Sequence, residues 1–115
     1  MTNRTDALVL LAALSGAIGV MAGARGAHGA SGPAAEWLKT GSHYQLIHAV
    51  AAIAVLALPL GRLAAWLFVG GAAIFSGTLY LMAFGAPTWF GAITPIGGLA
   101  LIAGWLALAA GAVRG

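Results

Sequence analysis

Leu63-Ala64-Ala65-Trp66-Leu67-Phe68-Val69-Gly70-Gly71-Ala72-Ala73-Ile74-Phe75-Ser76-Gly77-Thr78-Leu79-Tyr80-Leu81-Met82-Ala83-Phe84 runs without a charged residue. A helix needs about 20 mostly apolar residues to cross a hydrocarbon layer about 30 Å thick. This stretch meets that length. It lacks the apolar–polar alternation of a membrane β-strand. A helix, which satisfies its own backbone polar groups, is therefore the reading. Three further stretches qualify in the same way: about Asp6 to Ala24, about Tyr44 to Leu60 and about Ile93 to Val113.

The composition agrees. Hydrophobic residues make up 62% of the 115 residues, against about 45–50% in soluble domains. Charged residues make up 6%, against roughly 25%. Mean hydropathy is +1.01. Seven charges cannot clothe a soluble globule, and disorder needs the opposite composition. Four spans use about 80 residues, so no room remains for a soluble catalytic domain and the chain reads as one domain. The net charge of +3 rests on Arg4, Arg25, Lys39, Arg62 and Arg114. These are too scattered to make a nucleic-acid surface. There is no cysteine, hence no disulfide, thiolate ligand or thiol nucleophile.

The connections differ in kind. The first, Arg25 to His43, is the longest and most polar, with His28, Glu36 and Lys39 in it. Ser31-Gly32-Pro33 predicts a helix start. A short interfacial helix with Trp37 at the headgroup level is expected to follow, separate from the second span. Pro59-Leu60-Gly61-Arg62 predicts a tight turn. The third connection, Gly85 to Gly91, is uncharged and aromatic, and Thr94-Pro95 predicts a capped start to the last helix. Arg4 before the first run and Ala22-Gly23-Ala24 after it also outline a cleavable signal. The run is on the long side for one, and a retained span is the reading. Four spans place Arg4, Arg62 and Arg114 on one side and Arg25 and Lys39 on the other. The positive-inside rule then puts both termini in the cytoplasm.

Lipid gives helices no hydrophobic reason to associate, so small residues that permit close approach mark packing faces. Ser15, Gly19 and Gly23 repeat every four residues in the first span. Gly97, Gly104 and Gly111 repeat every seven in the last, and Ala73 and Gly77 form a shorter groove in the third. Packing within the chain is the first expectation. A contact between copies would use the Gly97/Gly104/Gly111 face.

Polar residues at membrane depth are candidate functional groups. Tyr44 and His48 share a helix face, and Gln45 neighbours His48. His28 stands just past the first span, and Arg25 and Glu36 lie in the same polar connection. Ser76 and Tyr80 are four apart, and Thr78 can bond back to its own helix. The cluster His28, Tyr44, Gln45, His48, Arg25 and Glu36 admits several readings. His28, His43 and His48 could ligate a metal, although no HxxxH or HxH pair occurs. His48, Tyr44 and Glu36 could carry protons or small cations. His28, Tyr44, Gln45 and Trp37 could hold a lipid or quinone headgroup. The favoured reading is an interhelical hydrogen-bond cluster that sets register. Phosphate loops, GxSxG and dinucleotide fingerprints are absent from the sequence.

Four motifs occur in order: Gly23-Ala24-Arg25-Gly26-Ala27-His28-Gly29, Tyr44-Gln45-Leu46-Ile47-His48-Ala49, Phe75-Ser76-Gly77-Thr78-Leu79-Tyr80, and Gly91-Ala92-Ile93-Thr94-Pro95-Ile96-Gly97-Gly98-Leu99. Together they resemble the small membrane-protein family of bacterial YgdD and YwdK. That family has unknown function and eukaryotic transmembrane relatives. The resemblance covers nearly the whole chain. It implies a four-span inner-membrane protein and supplies no activity, substrate or cofactor. The family pattern has an aromatic between the two Gly-Ala pairs, where this chain carries Arg25. Signal cleavage after Ala24 would split the first motif.

The expectation is thus an all-α integral membrane bundle of four transmembrane helices, with a short interfacial helix between the first two. Its expected role is structural or accessory, through helix contacts with a second copy or another membrane protein. The alternative is a transporter, or a protein binding a small ligand, lipid or metal at His28, Tyr44, Gln45 and His48. Membrane lipids are the expected surroundings. Enzymatic activity, a cofactor and nucleic acid are not expected.

Overall fold

The computed structural model describes residues 3–114, with Arg4 described by its backbone alone. The first helix, α1 (Arg4–His28), is opened by a reciprocal cap. Asn3 Oδ1 accepts the Asp6 backbone N–H at 2.9 Å, and Asp6 Oδ2 accepts that of Asn3 at 3.4 Å. These bonds satisfy two of the backbone donors that a helix start leaves open. At the other end the Gly29 N–H bonds to Arg25 O. The Arg25 side chain folds back over Gly29, so close that a Cβ there would lie 2.9 Å from Arg25 Cδ. A cation over the last turn complements the negative end of the helix dipole.

The second helix, α2, is continuous from Gly32 to Ala54. Ser31 and Pro33 start it as expected, but the segment expected as a separate interfacial helix is its first turns. The physical reason lies at Gly41-Ser42. A Gly-Ser pair in a polar run offers a break, but both residues are buried against neighbouring helices. The Ser42 hydroxyl donates to Gly19 O at 2.6 Å, and Gly41 O accepts Ser76 Oγ at 2.7 Å. Contacts on both sides keep the helix unbroken through Gly41-Ser42. The helix also stops earlier than the expected Leu60. Residues 55–60 form turns, with Leu58 N bonded to Val55 O and Leu60 in the left-handed region at φ 59°.

The third helix, α3 (Gly61–Ala83), begins where only glycine fits, because a Cβ on Gly61 would run into Val55 O. A one-turn 3-10 helix, Thr88–Ala92, leads into α4 (Thr94–Arg114). Thr94 is the first residue of α4, and its hydroxyl faces Thr78 rather than capping from outside.

Successive helices pack side by side in the order α1, α2, α3, α4, with a lighter contact between α1 and α3. The short connections make neighbours antiparallel. The molecule measures 46 × 30 × 21 Å. α1, α2 and α3 contact one another, and α4 packs against α3. One end holds Thr5, Leu60, Arg62 and Arg114, and the other holds His28, Gly32, Phe84 and Thr88. Core residues near the first end include Leu8, Ala12, Val55, Ala64, Ala65 and Phe68.

The burial pattern is that of a protein dissolved in lipid. On α1 the inward stripe is Leu8, Ala12, Ser15, Gly19, Ala22 and Gly26, mostly small. Its outward residues include Leu10, Leu14, Val20 and Met21, the last 64% exposed. In water such a surface would drive aggregation. In lipid, large apolar groups cost nothing outside and small ones let backbones approach inside. By length and hydropathy Thr5–His28, Gly61–Ala83 and the segment Thr88–Arg114 are able to cross a membrane. The more polar α2 falls outside that set.

Candidate functional site

α2 carries the polar residues and touches each of the other helices. His48 lies on its buried face, 5% exposed. Its Nδ1 is 2.7 Å from Tyr44 O, one turn back, and its Nε2 accepts the Trp105 indole N–H of α4 at 2.9 Å. Indole is donor only, so Nε2 must be the acceptor and the ring proton sits on Nδ1. The neutral imidazole is therefore fully bonded, and a second ring proton would face the indole N–H. Three rings flank the imidazole: Phe68 at 5.2 Å and Trp105 at 5.8 Å meet it edge to face, and Tyr44 stacks on it at 6.3 Å, with a cavity of about 310 Å³ beside it lined by Tyr44, His48, Phe75 and Trp105 among others.

The expected six-residue cluster is split. Tyr44 and His48 face α4, with Tyr44 also against Phe75 at 4.8 Å. Gln45, about 100° from Tyr44 and about 60° from His48, is turned toward the gap between α1 and α3. Its Oε1 accepts the Tyr80 hydroxyl at 2.7 Å. Arg25, His28 and Glu36 are exposed near the end of the bundle, apart from both groups. Glu36 is twelve residues before His48, about 18 Å along the helix, which leaves no short relay between them. His28, His43 and His48 do not converge. Among the described residues no group of three His, Asp or Glu is placed to hold a metal ion.

A third polar contact joins α3 to α4. Thr78 Oγ1 lies 2.6 Å from Thr94 Oγ1 and 2.9 Å from Ile74 O of its own helix. At the far end Arg62 Nη2 donates to Thr5 Oγ1. Among the described residues no fully buried side-chain nitrogen or oxygen lacks a hydrogen-bond partner.

The packing residues are brought against neighbours within the chain. Ser15 is 9% exposed. A Cβ on Gly19 would meet Leu46 Cγ at 2.9 Å, and one on Gly23 would meet Ser42 Oγ at 2.6 Å. A Cβ on Gly104 would meet the Phe68 ring at 2.5 Å. On Gly97 it would strike Phe75 N, and on Gly111 Pro59 O. The Gly97/Gly104/Gly111 face thus packs against α3 and the turn before it, which removes it as a contact between copies. Ala73 and Gly77 are different, because a Cβ on Gly77 meets nothing within 4 Å.

Sequence reasoning passed over Trp105. An indole N–H in an apolar run has no water to bond and needs an acceptor from another helix. His48, the acceptor deepest in the neighbouring span, was the matching signal. Tyr80 carried a similar signal, since a buried phenol usually finds a partner.

Residues 22–98 match a family described as a protein of unknown function (DUF423). The chain is 40% identical over 113 residues to a UPF0382 membrane protein of Haemophilus influenzae, covering 90% of this chain and 91% of that one. It is 35% identical over 124 residues to the UPF0382 inner membrane protein YgdD of Escherichia coli, covering 99% and 93%. It is 35% identical over 118 residues to the UPF0382 membrane protein YwdK of Bacillus subtilis, covering 92% and 95%. No solved structure matches. With three apolar helices long enough to span and relatives of nearly equal length named for the membrane, the chain is a multi-pass membrane protein that belongs to the DUF423 family of unknown function.

Proposed function

We propose that the chain is a single four-span domain of the inner membrane with a structural or accessory role, and not an enzyme. The observation that carries this reading is the closure of the polar core. Each buried hydroxyl, amide oxygen or imidazole nitrogen described above ends on another helix or on its own backbone. Such bonds set the register of one helix against the next.

The fourth span is supported by geometry. α2 lies between α1 and α3, antiparallel to both and nearly as long. Two helices that cross a membrane carry across it the helix packed between them. Its polar side chains Ser42, Gln45 and His48 are turned inward and each bonds to a neighbouring helix. Arg4 and Arg25 are 21 steps apart on α1, about 32 Å, close to the hydrocarbon thickness of about 30 Å. Arg25 then marks the outer boundary. The first turns of α2, with the half-buried Trp37, lie at headgroup level. The charge bias places both termini in the cytoplasm. Contacts with a second copy or another membrane protein fall to the outward faces.

The test is His48→Ala. A structural role predicts a lower melting temperature in detergent with the helical signal retained at low temperature. Unchanged melting would remove the central residue of the proposal.

A further inference from the structure

α1 and α3 meet at the end where Arg62 reaches Thr5, and part toward the other end. The gap is a furrow floored by α2. Its deeper part has a volume of about 420 Å³ and is lined by Ile18, Gln45, Ala73, Gly77 and Leu81, among others. A second part of about 200 Å³ shares Ile18, Tyr80 and Phe84 with the first and extends to Met21 and Arg25. The combined space falls within the range of about 300–1,000 Å³ typical of small-ligand sites. The walls are apolar except at Arg25 and the Gln45–Tyr80 pair.

Gln45 supplies an independent observation. It is 95% buried, being 5% exposed. Among the described residues its amide makes one hydrogen bond, accepted at Oε1 from Tyr80. Among the described residues no acceptor lies within hydrogen-bond distance of Nε2, and Gln45 lines the furrow. Hydrocarbon supplies no acceptor and excludes water. The site calls for a molecule that is apolar along its length and carries an acceptor oxygen at this level. Leu38 packs on α1 at Gly26, and Gln45 is seven residues deeper, about 10 Å. Its side chain leans back toward the start of α2, which is toward Arg25. Lys39 packs its stem on Gly26 beside Arg25, and Glu36 stands one turn outward. The mouth is therefore net positive.

We propose that the furrow binds one anionic glycerophospholipid. Its phosphate lies at Arg25, an ester carbonyl accepts from Gln45 Nε2, and an acyl chain runs along Ile18 and Gly77. The open space at Gly77 has a use in this arrangement, because a side chain there would occupy the path of the chain.

Native mass spectrometry of the delipidated protein in detergent, titrated with phosphatidylglycerol or phosphatidylethanolamine of identical acyl chains, tests this. The wild type is expected to retain one phosphatidylglycerol and to prefer it about fivefold, the size of one cation's attraction to an anionic leaflet. Arg25→Gln should bind both lipids alike. Gly77→Leu and, from the same wall, Ala73→Leu should lose the bound lipid while keeping the wild-type melting temperature in the absence of added lipid. Two results would overturn the proposal: equal binding of the two lipids by the wild type, or wild-type lipid occupancy in both leucine variants. A wild-type dimer that becomes monomeric in Gly77→Leu, with lipid binding unchanged, would assign the furrow to a second copy instead and overturn it equally.

Discussion

At the scale of single residues, the imidazole of His48 shows how a polar group is accommodated at membrane depth. Its acceptor and its donor are both used, one by another helix and one by its own. Replacing Trp105 by Phe removes the one donor to Nε2 among the described residues and leaves that acceptor among apolar side chains. Interhelical bonds in membranes average about 0.6 kcal/mol and reach about 1.7. A double-mutant cycle of His48→Ala and Trp105→Phe, followed by unfolding in detergent, should give a coupling in that range. Additive effects would mean the two residues stabilise the bundle separately. Tyr44 was legible in the sequence as sharing a helix face with His48, and the two rings stack at 6.3 Å. Whether Gln45 joined them was not legible. A helical repeat gives the angle between two side chains, and the partner helix decides whether that angle unites or divides them. Here Tyr80 on α3 draws Gln45 away.

At the scale of elements, the glycines separate into two kinds that composition does not distinguish. Gly97 and Gly104 are placed where a methyl would meet Phe75 backbone and the Phe68 ring respectively. Gly70 has nothing within 4 Å. Gly104→Ala should cost about 1–3 kcal/mol through overpacking. Gly97→Ala should cost more, because backbone cannot rotate aside as a ring can. Gly70→Ala should be neutral or stabilising, following helix propensity. Melting in detergent ranks the three, and equal effects would contradict the packing assigned to α4. The periodic spacing of Gly97, Gly104 and Gly111 was readable, and it names a real face. The same kind of spacing in Ala73 and Gly77 was readable too, yet it names a furrow. Spacing marks where close approach is allowed, and only the neighbour shows whether approach occurs. The continuity of α2 belongs to this scale as well. Gly41-Ser42 looks like a break locally, and hydrogen bonds to both flanking helices hold it.

At the scale of the whole molecule, the proposed topology has a direct check. The chain contains no cysteine, so single cysteines report position without background. Ser31→Cys lies in the α1–α2 connection and should react with a membrane-impermeant maleimide from the outside of intact cells. Ala57→Cys lies in the α2–α3 turn and should react only after permeabilisation. The reverse pattern would invert the orientation. Reaction of both from one side would mean that α2 does not cross.

Membrane residence and helical architecture were determined by the sequence itself. Both follow from quantities that sum along the chain: apolar length, charge scarcity and the need to satisfy backbone groups in lipid. The turn before α3 and the start of α4 were nearly as plain, because such signals are local, whereas both ends of α2 were not. Three features were decided only by tertiary structure: one continuous α2 in place of an interfacial helix and a span, a divided polar cluster, and an open furrow beside tightly packed glycines. Each depends on which neighbour a face meets. In lipid the apolar surroundings are the same on every side, so no hydrophobic gradient announces the answer in advance. Close packing and a few interhelical hydrogen bonds supply it.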